Sequence, residues 1–312
     1  MIAVNLFRTR ASYAQVFGSG TQSAPRANSD QGHSRSSPAR YRRGMAPMSK
    51  YVLIAAVAAS VSIASASSRA AEARPAQATR WTPRPGVGWQ IQYSGPIDLR
   101  VPARVFNLDL FETNAATIAR LHRQGRRVIC YLSAGSHENW RPDATSYPEV
   151  VLGAPLDEWP GERWVDVRRL DVLLPILEAR LELAVSKGCD AVDPDNVDGY
   201  ANASGFPLSP ANQLAFNRAL ARAAHERGLA VGLKNDLDQI EDLVDEFDFA
   251  VNEQCFEFEE CDRLRPFVER GKPVYGIEYR LAAKRFCPAA RRAGFDFLRK
   301  RLALDAWRVS CR

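Results

Sequence analysis

Three carboxylates and an amide crowd into the run Val192-Asp193-Pro194-Asp195-Asn196-Val197-Asp198-Gly199-Tyr200, directly after a short apolar stretch. Pro194 favours extended backbone at Asp193 and offers no amide donor, so a strand is expected to finish there. Extended backbone has period two, which sends Asp193 and Asp195 out on one face, close enough to perturb each other's protonation. Paired acids at a strand end suit general acid/base or nucleophilic work. The same run also reads as a calcium loop or a solvated turn, because Asp and Asn are turn residues and hard oxygen ligands. It lacks the Glu at the twelfth position and the Gly at the sixth of a helix-loop-helix calcium site.

Acids of this kind need a scaffold in which several strands end together. From Trp89 onward, short apolar stretches alternate with amphipathic ones. Strands are expected at 89–93, 104–109, 127–132, 190–193, 230–233, 249–252 and 274–279, with a weaker one at 295–298. Helices are expected at 113–124, 172–187, 210–227, 238–247 and 264–270. Gly125, Gly188, Gly228 and Gly271 each close a helix before the next strand. The number and spacing of these units match an α/β fold, a single-domain (β/α)8 TIM barrel after an N-terminal leader. An open doubly wound sheet would want a Gly-rich phosphate loop after its first strand, and Gly95-Pro96-Ile97 is only a turn. No nucleotide and no other cofactor is expected.

In a barrel the carboxyl ends of the strands converge on one mouth. The side chains expected to meet there are Tyr93, Asp109, Tyr131, Asp193, Asp195, Asn196, Asp198, Lys234, Asn235, Asp236, Asn252, Glu253, Glu278 and Tyr279. An acidic, aromatic mouth without His suits glycoside cleavage better than acyl transfer or hydride chemistry. Each residue also has a structural reading. Asp109 fits a cap for the helix near Thr113, Asp236 a cap for the helix from Asp238, and Glu278 a rim partner of Arg280 or Arg285. Tyr93, Tyr131 and Tyr279 fit barrel filler. Glu253, between two amides at the end of an apolar strand, would make poor core material. His33, His122, His137 and His225 show no ligand spacing, so no metal site is expected, and no nucleophile elbow is present.

The first 71 residues are compositionally distinct. They carry nine Lys and Arg against one acid, a charge of +8 in a chain of +6, which leaves about −2 for the rest. The basic balance therefore belongs to the leader, and nucleic acid is not an expected partner. Met45 or Met48 reads as the working start, which makes 1–44 a disordered extension or a mis-assigned start. Residues 45–71 join a basic beginning to an apolar middle and an Ala-x-Ala site, the pattern of a secretory signal peptide. Residues 72–86 read as a linker and 87–312 as the barrel. The mature protein is expected to be secreted or periplasmic, monomeric and without a stable membrane span. An oxidising destination allows disulfides, and Cys255 with Cys261 and Cys287 with Cys311 are the expected pairs. Cys130 and Cys189, inside apolar runs, read as buried free thiols.

Five strings in order carry a family resemblance: Cys130-Tyr131-Leu132-Ser133-Ala134-Gly135, Trp159-Pro160-Gly161-Glu162, Asp193-Pro194-Asp195-Asn196-Val197-Asp198-Gly199-Tyr200, Gly232-Leu233-Lys234-Asn235-Asp236 and Asn252-Glu253-Gln254-Cys255-Phe256. Together they resemble the endo-alpha-1,4-polygalactosaminidase family, glycoside hydrolase family 114. The resemblance implies a (β/α)8 barrel that cuts alpha-1,4 linkages in galactosamine-containing polymers. It also implies a catalytic pair that falls on Asp195 and Glu253. The family commonly has Glu before that Pro, where this chain has the shorter Asp193. On the two-carboxylate mechanism, Asp195 is expected as nucleophile and Glu253 as acid/base. The surplus acids would attract a cationic amino-sugar chain, with Tyr93, Tyr131 and Trp140 stacking on sugar faces. Two alternatives stay open: a secreted carbohydrate-binding barrel without turnover, and hydrolysis of a different alpha-linked polysaccharide.

Overall fold

The computed structural model describes residues 80–157 and 159–312. The expected extension and signal peptide lie outside the described residues, as does the first part of the linker. The remainder of that linker is tied down: Trp81 packs against the inner cluster of the barrel, Arg80 pairs with Asp248 and the Gly86 amide donates to Asp296 at 2.9 Å. Residues 80–86 therefore belong with the barrel.

Eight parallel strands follow one another around the sheet: β1 (Trp89–Gln92), β2 (Val105–Asp109), β3 (Arg127–Ser133), β7 (Ala191–Asp195), β8 (Ala230–Lys234), β9 (Phe249–Glu253), β10 (Val274–Glu278) and β11 (Asp296–Arg299). Strand β12 (Val309–Ser310) adds antiparallel to β11. The segment leading into it crosses the seam, where Leu304 accepts from the Tyr93 amide at 2.9 Å and Trp89 Nε1 donates to the Asp296 carbonyl at 2.8 Å. Helices α1 (Ala115–Arg123), α2 (Leu170–Lys187), α3 (Pro210–Glu226), α4 (Ile240–Leu243), α5 (Arg265–Glu269) and α6 (Ala283–Arg292) connect the strands.

Period-two alternation divides the strand residues between two cores. Trp89, Ile91, Ile129, Ala191, Phe249, Val251, Tyr275 and Ile277 fill the inside, while Phe106, Cys130, Val192, Val231 and Ala250 join the helix layer. Glycine admits neighbouring rings where space is short. A Cβ on Gly232 would lie 2.3 Å from the Phe249 ring, and one on Gly276 would lie 2.0 Å from Phe297.

Four expectations change. Strand β7 runs through Pro194 to Asp195, because its pairing with β3 continues over Leu132–Pro194 and Ser133–Asp195 after the β8 ladder has stopped at Val192. The expected helix at 238–247 is a 3₁₀ turn, Leu237–Gln239, followed by the single turn of α4. Helix α6 was not expected, since it carries Pro288 and four Lys or Arg residues. It buries Phe286 and Ala290 and is stapled by Cys287–Cys311. Between β3 and α2 the chain builds an unforeseen sheet in the order β4 (Ser136–Glu138), β6 (Glu162–Val165), β5 (Leu152–Pro155).

The cysteines also need one correction. Cys255–Cys261 and Cys287–Cys311 are bonded, but Cys130 and Cys189 are a third disulfide, not free thiols. They stand 59 residues apart in sequence, yet β3 and β7 are sheet neighbours and their Cα atoms come within 6.0 Å.

Candidate active site

Three adjacent strands deliver one charged side chain each at their last position: Asp195 from β7, Lys234 from β8 and Glu253 from β9. All three are inward by the strand alternation. Each is followed by an amide residue in left-handed backbone, Asn196 at φ 61°, Asn235 at φ 50° and Gln254 at φ 64°. Asn tolerates this region better than most side chains, so the chain turns sharply out of each strand without glycine.

Lys234 sits between the two acids. Its Nζ is 3.0 Å from Asp195 Oδ2 and 3.4 Å from Glu253 Oε1, and all three side chains are almost fully buried. Burial alone would lower the lysine pKa, but Asp195, Glu253 and Asp193 outweigh it and hold the ammonium charged. Asp195 accepts further from the Tyr131 hydroxyl at 3.1 Å and from the Asn196 amide at 2.8 Å. Burial pushes Glu253 up to about 8; Lys234 opposes the shift and the Asp195 charge adds to it. The two acids thus differ in surroundings: one collects donors and the other is desolvated.

Asp193 lies one step deeper on the same face, as period two requires. Its Oδ2 accepts from Asn107 Nδ2 at 2.7 Å and from the Tyr93 hydroxyl at 3.3 Å. Burial raises it to about 6, with Lys234 opposing and Asp195 reinforcing. The Tyr93 and Tyr131 rings lie 4.4 Å apart and are buried, so they carry hydroxyls to Asp193 and Asp195 and do not offer faces to a sugar. Tyr279 is driven well above the ordinary phenol range by burial and by neighbouring Glu253, which places it beside the acid. Trp140 is 37% exposed, and Trp159, in the turn between β5 and β6, packs against the inner aromatic cluster.

The other expected residues sort by direction. Asn235 adjoins Glu253, its Oδ1 accepting from the Glu253 amide at 3.0 Å. Asn252 points outward by the alternation, and its Oδ1 accepts from the Cys255 amide at 3.2 Å. Glu278 is also outward: its Oε1 accepts from the Phe256 amide at 2.8 Å, and burial pushes it up to about 7. A sugar contact for Glu278 does not fit that orientation. Asp109 is consumed by Arg141, whose guanidinium donates to both its oxygens at 3.1 and 2.8 Å, and by the Phe111 and Glu112 amides. The cap of α1 is Asn114 instead. Asp236 accepts from Tyr200 at 3.3 Å and Asn217 at 2.9 Å and makes no side-chain cap. Asp198 is buried at the start of the Gly199–Ala201 turn, its carbonyl accepting from Asn202.

Two residues near the acids were given no role by the sequence reading, although Glu162 stands in the Trp159-Pro160-Gly161-Glu162 string that carries the resemblance. Asn107 is the second residue before the end of β2 and inward, a position that strict alternation would have marked. Glu162 enters from β6, and its Oε1 accepts from Ser136 Oγ and from Asn196 Nδ2, the latter at 3.0 Å. No periodic signal in the sequence places that strand under Asp195.

The chain matches the family model described as glycoside-hydrolase family GH114 over residues 70–312. It is similar to Aspergillus fumigatus Ega3, solved in complex with galactosamine, at 41% identity and a TM-score of 0.71, covering 75% of this chain and 98% of that one. The glycoside hydrolase domain of PelA from Pseudomonas aeruginosa shares the fold at 17% identity and a TM-score of 0.57, covering 72% and 98% of the two chains. No curated protein matches. With the family model spanning the whole barrel, this chain belongs to glycoside-hydrolase family GH114 and is a glycoside hydrolase.

Proposed function

We propose that the protein is a secreted hydrolase that cleaves alpha-1,4 linkages in galactosamine-containing polysaccharide, with Asp195 as nucleophile and Glu253 as acid/base. One observation carries the reading: a single ammonium, Lys234, contacts an acid on either side, at 3.0 and 3.4 Å. The facing oxygens are therefore no further apart than the sum of those two distances. That bound brings both carboxyl groups within reach of one sugar ring, as a two-carboxylate glycosidase requires, and the retaining route is the one in which the second acid is the nucleophile.

Glu253, raised to about 8 by burial, holds its proton at neutral pH and donates it to the leaving glycosidic oxygen. Asp195 attacks the anomeric carbon, with Tyr131, Lys234 and the Asn196 amide fixing its carboxylate. Glu253, now ionised, takes a proton from water, and the resulting hydroxide releases the sugar from Asp195. Similarity to an enzyme solved with galactosamine supports an amino-sugar substrate, and the negative balance beyond residue 71 suits a cationic chain. Three disulfides support an oxidising destination.

The test is release of reducing ends from partly deacetylated galactosaminogalactan by the parent beside Asp195→Asn and Glu253→Gln. Cleavage by the parent and loss in both variants supports the reading. A parent that binds the polymer but never cuts it would leave a binding barrel, and one that does neither would refute the substrate.

A further inference from the structure

Asn196, the chain neighbour of Asp195, is held by a carboxyl group to which the two-acid mechanism gives no role. Glu162 is fully buried, and its Oε2 meets no hydrogen-bond partner among the described residues. Such a group is expensive to bury, and an apolar side chain would serve packing better. What Glu162 holds is Asn196. The Asn196 side-chain amide reaches Ser133 Oγ and Ser136 Oγ, each at 2.9 Å, and Glu162 Oε1 at 3.0 Å. The backbone amide of the same Asn196 donates to Asp195 Oδ1 at 2.8 Å. With φ at 61°, Asn196 occupies a conformation that a non-glycine residue keeps when its surroundings over-determine it. Gly135 closes the other side, since a Cβ there would fall 1.7 Å from the Asn196 carbonyl oxygen.

We propose that Glu162 is a positioning residue for glycoside cleavage: by holding the side-chain amide of Asn196 it fixes the backbone N–H that aims Asp195. The proposal rests on Asp195 being the nucleophile. The function requires an acceptor oxygen at the Oε1 position and no charge. Burial pushes Glu162 up to about 8, with the Ser136 hydrogen bond opposing and Glu138 and Asp195 adding, so the group is neutral at neutral pH. Glutamine keeps that acceptor and alanine removes it.

The experiment compares kcat and KM on partly deacetylated galactosaminogalactan for the parent, Glu162→Ala, Glu162→Gln and Asp195→Asn, each with a thermal melt to establish the folded fraction. Glu162→Ala is expected to lose kcat on the order of 10- to 100-fold with KM within about twofold, as for a misaimed nucleophile. Glu162→Gln is expected to stay within about threefold of the parent in both constants. A folded Glu162→Ala with parental kcat, or with only KM raised, would overturn the positioning role and leave the catalytic pair standing. Should alanine prevent folding, Glu162→Gln decides: near-parental kcat supports the acceptor role, and a loss as deep as that expected for alanine refutes it. Activity in Asp195→Asn would instead remove the nucleophile assignment, and this proposal with it.

Discussion

At the scale of single residues, the site separates two chemically similar acids by what surrounds them. Glu253 is desolvated and raised to about 8, whereas Asp195 receives a tyrosine hydroxyl, a backbone amide and an ammonium. An acid catalyst must be protonated, so activity should be present below that value and fall as pH rises through about 8. A pH profile of kcat checks this, and a rate that stays flat well into the alkaline range would remove Glu253 from the acid role. Asp193, Asp195, Lys234 and Glu253 were all legible from chain chemistry, because charged residues at the ends of apolar strands have little structural excuse. Glu278 and Asn252 were over-read for want of one further step. Counting by twos from Ile277 or Val251 sends both outward, toward the helix layer.

At the scale of elements, three consecutive barrel strands repeat one device: a charged last residue followed by an amide in left-handed backbone. The turn after β7 is wedged against Gly135, whose amide and that of Ala134 donate to the Asp195 carbonyl at 3.1 and 2.9 Å. Gly135→Ala puts a methyl into the Asn196 backbone, not into a movable side chain. It is expected to cost about 1–3 kcal/mol, as overpacking does, and to lower kcat by shifting Asp195. Thermal melts and kinetics together check it, and unchanged kcat would show that the turn is more compliant than this contact implies. The strands were readable because each is a short, mostly apolar run, and six of the eight end on a charged residue. Helix α6 and the β4–β6–β5 sheet were not. The first contradicts local propensity through Pro288 and owes its stability to Phe286, Ala290 and a disulfide; the second depends on pairings between segments that look like loop.

At the scale of the whole molecule, the barrel is closed by contacts distant in sequence. Three disulfides span separations of 59, 24 and 6 residues. If each acts mainly by restricting the unfolded chain, they contribute about 4, 3 and 2 kcal/mol respectively. Replacing Cys130 and Cys189 together by alanine is therefore expected to destabilise more than removing Cys255 and Cys261. Urea denaturation of the two double variants tests the order, and the reverse order would mean that local strain or packing outweighs loop closure. The Cys130–Cys189 bond escaped the sequence reading because both residues look like core, and only the β3–β7 neighbourhood brings them together. Among the described residues no helix is long and apolar enough to cross a membrane.

The central claim is that Asp195 and Glu253, held around Lys234, cleave the glycosidic bond by double displacement. The most direct test is proton NMR of the reducing-end anomer first released from an alpha-linked galactosamine oligosaccharide, before mutarotation. Two inversions at one carbon predict the alpha anomer. Release of the beta anomer would mean single displacement by water, and would contradict Asp195 as nucleophile.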